Sequence, residues 1–275
     1  MKNRNTGVDL RAAQTKTAVI TGAASGMGLC ASKTLAKAGW NVVMCDIDAK
    51  ALKKAGTECR PHAGADLRAA KSPVDAALRA AQIIPCVTDV RRFADAEKAA
   101  RLAVRKTGRI DLYIGFAGGY EARICNTCGI PFYEQPIEVV DWGLDVNLKG
   151  QVYFARAVMP QMVKQKSGVI CCLGSVTGVE GDGNGAMYGT AKSGLFNFVK
   201  GLAIAGAPHN VRAFCVTPGP VMTRPGMAGM KTLQGHASQP QELVDFILYL
   251  ASDKCPSITG SNHVMDCGRL ALPRQ

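Results

Sequence analysis

Short, nearly continuous apolar runs alternate along this chain with longer stretches whose apolar residues recur three and four apart. Runs at residues 17–21, 41–45, 83–87, 110–116, 170–173 and 263–266 lack the polar alternation of a half-exposed strand, which predicts strands buried on both faces. Helices are predicted from the loop at 22–28 to Gly39, over 93–106 with Gly108 as the stop, and over 139–164. Two more follow: one starting near Tyr188 with Leu195, Phe198, Val199 and Leu202 on one face, and one carrying Leu243, Phe246, Ile247 and Leu250. Strand followed by helix, repeated, predicts an α/β domain with a parallel sheet.

The loop Gly22-Ala-Ala-Ser25-Gly26-Met27-Gly28 stands between the first strand and the first helix. Glycines there let the backbone turn and approach a phosphate, and a helix start offers unpaired N–H groups with a partial positive charge. This placement predicts a dinucleotide site. The second strand runs into Asp46, 24 residues after Gly22. A carboxylate at that point accepts hydrogen bonds from adenosine ribose hydroxyls and repels a 2′-phosphate, predicting NAD over NADP. Asp48, rather than Asp46, suits the cap of the following helix.

Further on, the run ending in Gly174-Ser175 delivers a hydroxyl at a strand end. Thirteen residues later comes Tyr188, with Lys192 four beyond it on the same helix face. A phenol with its usual pKa of roughly 10 is a poor acid–base group at neutral pH, and a neighbouring ammonium is expected to lower it. Tyr188, Lys192 and Ser175 are therefore the candidate chemistry.

This serine, tyrosine and lysine set, together with the glycine loop, resembles the short-chain dehydrogenase/reductase family, and the likeness runs from Thr17 to Gly268. The resemblance implies a single-domain doubly wound parallel sheet (Rossmann fold) with helices on both faces. It implies an NAD-dependent oxidoreductase interconverting a secondary alcohol and a ketone. Tyr188 is then the general acid/base, and Ser175 holds and polarises the substrate oxygen. Lys192 lowers the tyrosine pKa and binds the nicotinamide ribose, and Asn147 holds a water that connects the lysine with solvent. The cofactor contacts implied are Gly22, Ser25, Gly26, Met27, Gly28, Asp46, Asp89, Val90, Ala117, Gly118, Tyr188, Lys192, Pro218, Gly219, Val221 and Thr223. Without the likeness, Asp89 reads as a helix cap and Asn147 equally as an exposed helix position. The C-terminal helix and strand often form subunit contacts in relatives, implying a homodimer or homotetramer.

Two departures stand out. Gly115-Phe116-Ala117-Gly118 replaces the family's Asn-Asn-Ala-Gly, removing an asparagine that ties the central strands together, and Phe214 lies where another asparagine is frequent. They are expected to mark an apolar repacking of the sheet. They also feed an alternative function, a non-catalytic nucleotide-binding regulatory or scaffold protein of the same fold. A serine hydrolase is disfavoured because Ser175 lacks the Gly-x-Ser-x-Gly elbow.

Composition narrows the rest. The chain has 275 residues and 47% apolar content, with no apolar run long enough for a membrane span. Residues 1–16 read as a flexible basic arm rather than a secretion signal, with a mitochondrial presequence left open. Residues 17–275 form the catalytic domain, with a substrate loop at about 224–239. The stretch at 61–81 reads as an insert, a helix extension or surface excursion. Eleven cysteines, scattered through strands and helices, predict free thiols in a cytoplasmic protein. Cys125 and Cys128 read as ordinary loop cysteines, and no metal site is expected. The net charge of +12 arises mostly between Lys50 and Arg109 and reads as a solvated basic face rather than a nucleic-acid site. It leaves an acidic substrate or acidic carrier protein open. Arg224 reads either as a ligand for a substrate carboxylate or phosphate or as a solvent-facing arginine.

Overall fold

The computed structural model describes residues 15–60 and 81–273. The arm, apart from its last two residues, and all but the last residue of the insert at 61–81 lie outside the described residues.

Seven strands form one parallel sheet in the order β3-β2-β1-β4-β5-β6-β7. They are β1 (Thr17–Thr21), β2 (Asn41–Asp46), β3 (Ile83–Val87), β4 (Leu112–Gly115), β5 (Gly168–Leu173), β6 (Val211–Pro218) and β7 (Asn262–Met265). Between them run α1 (Gly26–Lys37), α2 (Ala49–Cys59), α3 (Phe93–Thr107), α4 (Ile137–Leu144), α5 (Gly150–Gln165), α6 (Ala186–Gly206) and α7 (Pro240–Ala251). This is the doubly wound single domain expected from the sequence.

Strand pleating divides the core into two layers. Ala18 and Ile20 of β1 point to one side, where they meet Leu35 of α1, Leu52 of α2 and Leu243 and Ile247 of α7. Val19 points to the other, toward Ala99 of α3, Phe154 of α5 and Leu195 and Val199 of α6. Covering both faces explains why the strands read as uninterrupted apolar runs. The chain winds outward from β1 in one direction to β3 and in the other to β7. The crevice between β1 and β4, at their C-terminal ends, is the switch point at which such sheets bind ligands.

Three elements differ from their sequence expectation. The single helix predicted over 139–164 is two helices joined by a π-turn at Asp145–Lys149, and Asn147 lies in that turn. The widened turn loosens the regular ladder, and the Asn147 amide donates to the Gly143 carbonyl at 3.0 Å. Strand β4 is shorter than predicted. Phe116 leaves it and packs at 8% exposure in the same apolar layer as Phe214, which is fully buried. Both departures from the family pattern thus add apolar contact to the core; burying a phenyl ring contributes about 1.5–3 kcal/mol. The apolar face predicted on α6 also splits: Leu195 and Val199 are buried, whereas Phe198 and Leu202 are half-exposed.

Helix α7 begins where its sequence dictates. Pro240 occupies the first turn, and the Gln239 N–H donates to the Glu242 carboxylate at 2.6 Å, with the reciprocal bond closing a capping box. This fixes the end of the substrate loop, which is closed at its base by the Ser238 N–H donating to the carbonyl of Pro220, just ahead of the loop, at 3.0 Å. All eleven cysteines carry free thiols, Asp48 caps α2 through the Ala51 N–H, and no described helix is long and apolar enough to cross a membrane.

Candidate active site

A cleft of about 930 Å³ opens along the C-terminal ends of the strands. One end is the glycine loop. Gly22 has a φ of +66°, and a Cβ on it would lie 2.9 Å from the Ala117 nitrogen. A Cβ on Gly28 would fall 2.1 Å from the Gly22 carbonyl oxygen, so only glycine lets the loop fold under the first turn of α1. That turn carries no acidic residue and Ser25 makes no side-chain cap bond, leaving its N–H groups open to an anion. Beside it, Asp46 accepts from the Ala24 N–H at 3.0 Å and the Asp48 N–H at 3.1 Å, which orients its carboxylate along the loop.

Asp89 and Val90 continue the same wall. The cap reading of Asp89 is not what the fold uses. Helix α3 starts after Arg92, and Asp95 reaches back to accept from the Asp89 N–H at 3.0 Å. The Asp89 carboxylate instead grips Arg91 at 2.7 Å, and this partner holds its pKa below the usual carboxylate value.

At the far end, β5 delivers Ser175, and α6 lays Tyr188 and Lys192 against it. The Lys192 ammonium is 2% exposed, lies 5.5 Å from the centre of the Tyr188 ring, and donates to the Leu173 carbonyl at 2.7 Å. Burial lowers its pKa to about 8. The tyrosine corrects the sequence expectation. Burial pushes the Tyr188 phenol above its usual pKa, with the Ser175 hydroxyl and then Arg224 pulling it back. The lysine gives one of its three N–H donors to Leu173, and for the phenol desolvation outweighs the groups that favour its charge.

The sixteen cofactor candidates, Tyr188 and Lys192 among them, all line this cleft, as does Ser175. Asn147 does not. Fully buried behind the wall, it accepts from the Gly119 N–H at 2.8 Å and donates to the Gly119 carbonyl at 2.9 Å. Its side chain clamps the segment after β4, so the exposed-position reading fails. Cys125 and Cys128 lie outside the cleft lining, and no metal-binding cluster is present among the described residues.

Two residues that the sequence did not single out position this chemistry. Glu121, 3% exposed, accepts from the Met187 and Tyr188 N–H groups at 3.1 and 3.0 Å, capping the start of α6 from 67 residues away. Gln151 of α5, 1% exposed, accepts from the Leu173 N–H at 3.1 Å and donates to the Leu173 carbonyl at 3.2 Å. A Cβ on Gly115 would lie 2.6 Å from the Gln151 oxygen, so this glutamine fills the space above the glycine that stands in the family's asparagine position. It supplies a tie between β5 and α5. The only hint in the sequence was the side-chain space that Gly115 leaves.

A phosphate cradle at one end and a hydroxyl, phenol and buried ammonium at the other define a dinucleotide-dependent oxidoreductase. A family model described as short chain dehydrogenase matches residues 16–232, and the chain belongs to that family. It is 28% identical over 274 residues to "Oxidoreductase UcpA" of Escherichia coli (strain K12), covering 92% of this chain and 94% of that protein. It is 31% identical over 265 residues to the "Trans-4-hydroxycyclohexanecarboxylate dehydrogenase" of Sinomonas cyclohexanicum, covering 93% of each. The solved structure titled "Crystal structure of gox2181" superposes with a TM-score of 0.79 at 26% identity, covering 94% of this chain and 97% of that one. Membership makes the protein an oxidoreductase of alcohols that uses a nicotinamide cofactor.

Two measurements test this geometry. Gly115→Asn, which collides with Gln151, and Gln151→Ala, which strands the buried Leu173 groups, should each destabilise the fold by about 1–3 kcal/mol in urea. Combined, they should cost less than their sum; strict additivity would contradict the shared space. Lys192 supplies the second. Its folded pKa of about 8 lies below the unfolded 10.5, so the unfolded chain binds more protons between those values and the burden of the buried charge lifts as pH rises through them. The melting-temperature advantage of Lys192→Met over wild type should therefore shrink from pH 8 to 10.5; a pH-independent difference would contradict the assignment.

Proposed function

We propose that the protein is an NAD-dependent dehydrogenase/reductase that interconverts a secondary alcohol and a ketone, with Tyr188 as its proton-transfer group. The observation that carries this is the convergence of Ser175, Tyr188 and Lys192 at one end of a cleft whose other end is the glycine cradle and Asp46. NAD rather than NADP is favoured by the charges at the ribose position. Asp46 is held over the loop by two backbone N–H groups, Ile47 follows it, and the nearby cation Arg91 is already paired with Asp89. A 2′-phosphate would meet a carboxylate there without a free cation beside it.

When bound, the nicotinamide supplies the two-electron exchange with the carbinol carbon. The protein moves the proton. In reduction, the Tyr188 hydroxyl gives its proton to the developing alkoxide while the Ser175 hydroxyl donates a second hydrogen bond to the same oxygen. The resulting phenolate, facing the buried Lys192 ammonium, is reprotonated from solvent. Oxidation runs the reverse path and begins from the phenolate. Burial favours the neutral phenol over the phenolate, and the neutral phenol is the form that serves reduction.

The relatives named "Trans-4-hydroxycyclohexanecarboxylate dehydrogenase" and "7alpha-hydroxysteroid dehydrogenase" favour a hydroxyl on a saturated ring as the substrate class. A homodimer or homotetramer is supported by apolar side chains left bare on α6, α7 and β7, with Ile204 78%, Tyr249 53% and Val264 47% exposed. Eleven free thiols support a cytoplasmic location.

Tyr188→Phe tests the reading. It should lower turnover by at least about 100-fold while NADH still binds, read by nucleotide fluorescence. Undiminished turnover would remove Tyr188 from the chemistry.

A further inference from the structure

The cleft that holds Tyr188 is also lined by the single-turn helix at Glu121–Ile124 and the loop starting at Arg224. Its walls there are apolar, with Trp142, Val146, Met227 and Met230 among them, yet two guanidinium groups, Arg123 and Arg224, also line it. A side-chain carbon on Gly119 would sit 3.6 Å from the Arg123 Nη2, so this arginine folds back over the segment that Asn147 clamps. Both cations act electrostatically on the Tyr188 phenol, and Arg123 in turn disfavours the charge on Arg224. Both therefore lie near the phenol at the reacting end of the cleft.

Neither arginine takes part in an ion pair among the described residues. Of the two acids nearby, Asp182 is committed to three donors, while Glu121 binds through Oε1 and its buried Oε2 has no partner among the described residues. Glu121 holds the N–H groups of Met187 and Tyr188, and Asp182 accepts from the Tyr120 hydroxyl at 2.9 Å and from the Asn184 and Gly185 N–H groups. Both arginines are exposed at the cleft rim, neither is in an ion pair among the described residues, and an anion placed between two like charges relieves their mutual repulsion. Guanidinium forks are also the donors that match a carboxylate in two-pronged fashion.

We propose that Arg123 and Arg224 form the substrate's anion subsite, so that the substrate is an apolar secondary alcohol or ketone bearing a carboxylate. The apolar walls take its body, Ser175 and Tyr188 its oxygen, and the two arginines its charge. This assignment rests on the dehydrogenase reading above, and its test is one of binding, independent of turnover.

The probes are cyclohexanecarboxylate and its uncharged amide, which have no carbinol to oxidise, titrated calorimetrically into the full-length protein saturated with NAD. The carboxylate should bind about tenfold tighter than the amide, and Arg123→Gln and Arg224→Gln should each reduce that ratio severalfold. The corresponding Arg→Lys variants should restore part of it, and Arg105→Gln, an exposed arginine on α3, should leave it unchanged. NADH binding and thermal melts show which variants are folded. Equal affinity for the two probes, or a ratio that Arg105→Gln lowers as much as the cleft variants do, would overturn the subsite. If neutral secondary alcohols were still oxidised, the dehydrogenase reading would survive that result. Anion-selective binding in a protein that oxidises no alcohol would instead retain the subsite and remove the dehydrogenase reading.

Discussion

The end of β5 is the constraint on which the site depends. One backbone carbonyl, that of Leu173, receives the buried Lys192 ammonium, and the same residue is held through both its N–H and its C=O by Gln151. The 2% exposed lysine has one of its donors met by Leu173, and burial costs enough to bring its pKa down to about 8. Were Leu173 to shift, the ammonium would lose its one hydrogen-bond partner among the described residues. The phenol one turn earlier on α6 would then lose its cationic neighbour.

The same economy of backbone contacts governs the other end. The glycine loop packs against Ala117 at the close of β4, Asp46 is steered by two N–H groups of neighbouring segments, and Glu121 anchors the start of α6. Parallel strands bring these segments to one edge because all their C-terminal ends face the same way. The cleft is therefore a property of the topology, and the side chains lining it decide which ligand it takes.

Most of the framework was legible in the sequence because its signals are local. Continuous apolar runs mark strands buried on both faces, a glycine loop between strand and helix marks the cradle, and Asp48 marks a cap. What stayed hidden depends on contacts between distant segments. Glu121 and Gln151 lie 67 and 22 residues from the backbone groups they serve, and no periodicity reveals such pairs. The π-turn at Asn147 falls inside an otherwise regular helical pattern. Desolvation opposes the expected lowering of the Tyr188 pKa, because spacing along a helix shows which groups are neighbours and does not show how far their surroundings exclude water.

The central claim, that this cleft passes a carbinol hydrogen to a nicotinamide, is tested most directly by isotope tracing. The protein is incubated with NAD and a panel of ring and chain secondary alcohols, neutral and carboxylate-bearing, each deuterated at the carbinol carbon, and the recovered cofactor is weighed by mass spectrometry. The account predicts reduced cofactor one deuterium heavier with at least one member of the panel. Bound NAD that stays unlabelled across the whole panel would contradict it.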